Sequence, residues 1–159
     1  MLFLGRMPFL LTTLICAAVL CIALIMEYGF GVLGCTLCKY ERLFILVGGI
    51  VAALFLFAPQ KQRPLGFLLV MLIFLACGIL AFYHVLIQQG VLPLPAFCKP
   101  PSIPTNLSLE EMRQQLLNTT FVPCNKVTWS FMGLSLAAYN VLLSLCLAAY
   151  HFVAYKRSS

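Results

Sequence analysis

The residues able to do chemistry are cysteines outside the apolar runs. Cys35-Thr36-Leu37-Cys38 is a C-x-x-C standing where a turn enters a helix, with Gly29, Gly31 and Gly34 suited to a tight turn just before it. At a helix N-terminus the unpaired backbone N–H groups and the dipole favour a thiolate, and a nearby cation lowers its pKa further. Arg42 lies one turn beyond Cys38 on the same helical face. A dithiol so placed can react at neutral pH, at a depth that a lipid-soluble electron acceptor can reach. The same spacing also serves zinc sites and structural bridges. No histidine follows at once, so covalent haem attachment is not supported.

Cys98 and Cys124 enclose a second polar segment. As a staple, a bridge over that span stabilises a fold by roughly 3 to 4 kcal/mol in the chain-entropy model. Beside a C-x-x-C on the same membrane face, an electron relay becomes the stronger reading. Cys16, Cys21, Cys77 and Cys146 fall inside apolar runs, where cysteine behaves as a small hydrophobe. Four loop thiolates could also ligate zinc. An oxidising compartment and the neighbouring Arg42 argue against that, and no metal is assigned. A third reading is a structural or transport protein whose loops are merely stapled. Against it, the sequence places no acid or base at mid-membrane to mark a pathway.

The elements that must position these residues follow from composition. Of 159 residues 63% are apolar and 9% charged, with a mean hydropathy of +1.05, whereas a soluble domain carries about 25% charge. The chain therefore reads as a single integral membrane domain, 1–159, all-α. Four apolar runs, about 7–26, 38–58, 65–87 and 127–155, suffice for a core of about 30 Å, which takes roughly 20 helical residues. The second is reached by extending its helix back to Cys38, with Lys39, Glu41 and Arg42 in the headgroup region. The first is too long for a typical secretory signal core and lacks a small-x-small cleavage site, so it reads as a retained span.

Four spans put Arg6, Lys61, Arg63, Lys156 and Arg157 on one side in very short segments, with no acid. The other side spreads Lys39, Arg42, Lys99, Arg113 and Lys126 over longer loops with all four acids. The difference in density places both termini in the cytoplasm and the loops at about 27–37 and 88–126 outside it. The net charge of +6 is thus a topology signal, and no basic stripe or aromatic platform points to nucleic acid. In the second outer loop, Pro93, Pro95, Pro100, Pro101 and Pro104 surround Cys98, which predicts an extended, accessible strand. Ser108 and Glu111 form a capping box for a short amphipathic helix, with Leu109, Met112, Leu116 and Leu117 on the face that lies on the membrane surface.

The run Cys35-Thr36-Leu37-Cys38-Lys39-Tyr40-Glu41-Arg42 resembles the C-x-L-C-x-x-E-R signature of the DsbB family. The stretch from Cys124 through Trp129, Phe131, Gly133 and Leu134 is similar to that family's C-x4-W-x-F-x-G-L entry to its last span. The resemblance covers nearly the whole chain and implies a four-transmembrane-helix bundle with two extracytoplasmic loops in the bacterial inner membrane, multi-pass and monomeric. It implies a thiol oxidase in which Cys98 and Cys124 take electrons from a periplasmic, thioredoxin-fold partner of the DsbA type, Cys98 being the sulfur attacked. Cys35 and Cys38 then pass them to a quinone, ubiquinone or menaquinone. Arg42 holds the quinone and stabilises the attacking thiolate, and His84 corresponds to a histidine near the quinone. Ala137 and Tyr139 stand where the family often has proline and tryptophan. The energetics agree: a glutathione-like pool near −200 mV would have to oxidise a partner near −120 mV, uphill by about 3.7 kcal/mol for two electrons.

Overall fold

Proline and glycine mark the helix ends. A computed structural model of the chain describes residues 5–99, 110, 113 and 122–158. Helix α1, Met7–Leu24, has Pro8 in its first turn, where the missing N–H costs nothing. It runs into a wide π-helical turn, Ile25–Gly29. Helix α2, Thr36–Leu56, is capped by Cys35. Helix α3, Arg63–Gln88, again has proline in its first turn, and its end is closed by Gly90 at φ +73°, a left-handed stop that glycine takes without a Cβ penalty. Helix α4, Leu136–Ser158, closes the described part of the chain.

Among the described residues, three helical segments are long and apolar enough to cross a membrane: Met7–Gly29, Gln60–Gln88 and Leu136–Ser158. Helix α2 has 21 residues but carries Lys39, Glu41 and Arg42 in its first two turns. Helix α3 packs along α4 and α2, and α2 packs along α1. Small residues permit the close approach. A Cβ on Gly49 would stand 2.9 Å from Cys16 of α1, and one on Gly48 2.9 Å from the Phe74 ring of α3. The core is built on Phe9 and Phe67, whose rings stack at 4.5 Å, continuing through Ala52, Val70, Phe74 and Cys77. Leu54, Ile79 and Leu142 point outward, as on a surface made for lipid.

Two expectations need correction. The apolar run from residue 127 is helical only from Leu136. Before it, Ser130–Phe131 and Leu134–Ser135 pair as a minimal antiparallel hairpin around Met132 and Gly133, both at positive φ. Trp129 stacks on Phe131, and Tyr139 donates its hydroxyl hydrogen bond to the Phe131 carbonyl at 3.1 Å, so aromatic packing and a left-handed glycine outweigh hydrophobicity as a helix signal here. Nor does Glu41 reach for the headgroups: it is buried, because α3 and α4 supply its hydrogen-bond partners. The surface helix expected around Leu109, Met112, Leu116 and Leu117 lies outside the described residues, although Glu110 and Arg113 are helical and exposed.

Candidate functional site

Cys35 is the N-cap of α2, with extended backbone at φ −69° and ψ 175°, and its sulfur accepts the N–H of Cys38 at 3.4 Å. A sulfur so seated takes the place of the oxygen that usually satisfies the first free donors of a helix. The Cys38 Sγ stands 3.0 Å away. On the other flank, Nε2 of His84, from α3, lies 3.5 Å from the Cys35 sulfur. The opposite ring nitrogen, Nδ1, is 2.6 Å from Oε1 of Glu41. A carboxylate accepts only, so the Nδ1 proton faces Glu41 and Nε2 faces sulfur. Asn140 of α4 donates to the other Glu41 oxygen at 2.8 Å, and Ser144 donates to Oδ1 of Asn140 at 3.3 Å. Three helices thus converge on one buried carboxylate.

These contacts govern the Cys35 thiol. It is lowered from its ordinary value of 9.0 to about 4, first by hydrogen bonding from Cys38 and then by His84 and the helix N–H, against the opposing effect of burial. The pair shares its protons unequally, with Cys35 the thiolate and Cys38 the donor.

Cys98 and Cys124 are joined in a disulfide, with Cα atoms 5.7 Å apart. Cys98 sits in a tight turn, Ala96–Cys98. Both are wholly buried, in one apolar cluster with Cys35, Leu37 and Ile87, around which Cys38, Leu92, Leu94 and Val122 pack. The accessible strand expected at Cys98 is therefore a covered turn: Pro93 and Pro95 steer the chain inward, and the leucines beside them seal it. The four-thiolate zinc reading loses two of its ligands to this bridge.

Arg42 pairs with Glu27, which the π-helical turn carries to it. Its guanidinium also lies over Gly34, where a Cβ would stand 3.3 Å from Nη2. Beyond Cys38 opens an apolar cavity of about 320 Å³, at the lower end of the range for small-molecule sites. Cys38, Glu41, Arg42, Ala137, Tyr139 and Asn140 are among its walls. Helices α1 and α4 supply aliphatic lining from Val19, Ile22 and Leu143. A lining that is mostly apolar with a few polar side chains suits a weakly polar ring.

Of the residues singled out in the sequence, Cys35, Cys38 and His84 come together, Cys98 and Cys124 join the same cluster, and Arg42 borders the cavity. Sequence reasoning missed Glu41, Asn140 and Glu27. Glu41 lies inside the C-x-L-C-x-x-E-R run and could have been found from it. Asn140 is an amide in an apolar helix, itself a signal of a buried partner. Cys16 and Cys77 are buried in the packed helices, whereas Cys21 and Cys146 face outward.

Helices of membrane-crossing length that gather a thiol pair and a disulfide into one buried cluster define a membrane thiol–disulfide protein. The family model described as Disulfide bond formation protein DsbB matches residues 5–154, and the chain belongs to the DsbB family. It is 31% identical over 163 residues to Disulfide bond formation protein B of Marinobacter nauticus, covering 98% of this chain and 95% of that one. To the protein of the same name in Haemophilus influenzae strain 86-028NP it is 32% identical, over 76% of this chain and 69% of that one. To Disulfide bond formation protein B 1 of Pseudomonas aeruginosa it is 29% identical, over 96% and 95%.

Proposed function

We propose that this chain is a protein thiol:quinone oxidoreductase of the bacterial inner membrane. It reoxidises a periplasmic dithiol oxidase of the DsbA type and so supports disulfide bond formation. All four helices cross the membrane with both termini in the cytoplasm, and the positively charged short segments support that orientation. The observation that carries the reading is the shared cluster: an outer disulfide and an inner dithiol lie together, the inner one bordering an apolar cavity.

Electrons and protons balance as two exchanges. The partner's thiolate attacks Cys98, expels the Cys124 sulfur, and leaves as a disulfide once its second thiol resolves the mixed bond. Cys98 and Cys124, now thiols, reduce a Cys35–Cys38 disulfide by the same exchange. Arg42 and the cavity walls would hold a quinone, which would supply an acceptor for two electrons and two protons. His84 and Glu41 keep the Cys35 sulfur hydrogen-bonded as its proton leaves.

The test is oxidation of reduced DsbA-type partner by purified protein with ubiquinone or menaquinone. Serine at Cys38 or at Cys98 is expected to stop turnover, and normal turnover in both variants overturns the proposal.

A further inference from the structure

We propose that Cys35, Cys38 and His84 form a site for one thiophilic divalent cation of the zinc or cadmium kind, present only while the cysteine pair is reduced. The two sulfurs and one imidazole nitrogen lie within 4.8 Å of one another. A tetrahedral zinc ion with bonds of about 2.3 Å to sulfur and 2.0 to 2.1 Å to nitrogen sets sulfur and nitrogen about 3.6 Å apart and two sulfurs about 3.8 Å apart. Cys35 Sγ and His84 Nε2 already stand at 3.5 Å. The sulfurs, at 3.0 Å, need to part by roughly 0.8 Å to reach the zinc spacing, and Cys38 borders a cavity into which it can turn.

The second layer is also in place. The Nδ1 hydrogen bond from His84 to Glu41 orients the ring so that Nε2 faces the sulfurs and can ligate once its proton has left, and Asn140 in turn holds Glu41. That is the carboxylate–histidine support common behind metal-bound imidazoles. Gln88 stands with its amide nitrogen 3.4 Å from His84 Nε2, while its Oε1 is buried with no hydrogen-bond partner among the described residues. Turned over, the amide offers that oxygen to the ion or to a water on it, at the fourth position of the tetrahedron.

Binding moves no electrons: the cation replaces the Cys38 thiol proton and the proton that His84 Nε2 presents to the Cys35 thiolate, and both leave to solvent. A Cys35–Cys38 disulfide removes both sulfur ligands, so metal and disulfide exclude each other. Resting on the function proposed above, the ion would hold the inner pair reduced and stall electron flow.

The test needs neither quinone nor partner, so its failure and the failure of that function are distinguishable. The full chain in detergent, with Cys98→Ala and Cys124→Ala and reduced by a phosphine, is titrated with cadmium, and the thiolate-to-metal charge-transfer band is read. Saturation at one equivalent is expected, with loss of the band when the Cys35–Cys38 disulfide is formed. H84A is expected to weaken binding about tenfold or more. No saturable band, or unchanged affinity in H84A, overturns the proposal. Should H84A not fold, X-ray absorption of the zinc-loaded parent decides: two sulfurs with an imidazole nitrogen support the site, and a shell without imidazole overturns it.

Discussion

Chemistry at the residue scale turns on the Cys35 sulfur, which its neighbours hold as a thiolate. Its folded-state value of about 4 lies below the ordinary 9.0. The ionised form therefore stabilises the reduced fold fully above pH 9, and that contribution fades as the pH falls through about 4. The measurement is thiolate absorbance of the reduced protein minus that of Cys35→Ser. It should persist from neutral pH to about 5, and titration near the ordinary cysteine value would refute the assignment. Asn140→Ala leaves one Glu41 oxygen without its donor. It should lower stability by about 1 to 3 kcal/mol and raise the apparent pKa of Cys35, both read on the same purified variant. The four loop cysteines and Arg42 were legible in the sequence because cysteine placement and charge are local. The partnership of Glu41 with His84 and Asn140 was not: 43 and 99 residues separate the pairs, and only the packing of three helices unites them. For the same reason Thr12 and His151, bonded at 2.8 Å across 139 residues, left no sign in the sequence.

At the scale of elements, hydropathy pointed to long apolar helices, three of which among the described residues are long and apolar enough to cross a membrane, because runs of about 20 apolar residues have few other uses. It misjudged the start of the last one, where Val127, Thr128 and Trp129 are apolar or β-branched yet lead into a hairpin. Hydropathy reports burial in lipid or core, and both a strand and a helix can supply it. Helix contacts depend instead on glycines. A Cβ on Gly66 would fall 2.5 Å from the Phe55 ring and 2.9 Å from Phe9. Gly66→Ala should therefore force the stacked aromatics apart and cost about 1 to 3 kcal/mol. Thermal unfolding in detergent checks this, and an unchanged midpoint would show that α2 and α3 can separate without loss.

At the scale of the whole molecule, the charge asymmetry of the short segments predicts which face is which. Phosphatase fusions within residues 88–126 should be active and those after residue 62 inactive, with fluorescent-protein fusions giving the opposite pattern. The reverse result would put the cysteine cluster in a reducing compartment and remove its chemistry. The wholly covered bridge between Cys98 and Cys124 has a last consequence. A conductor is useful only if it is insulated, and a sulfur with no surface cannot be short-circuited by whatever small thiol drifts past. Under the proposed function, a partner would first have to shift the residues packed against the bridge, so that admission would be decided by shape before any potential difference is felt.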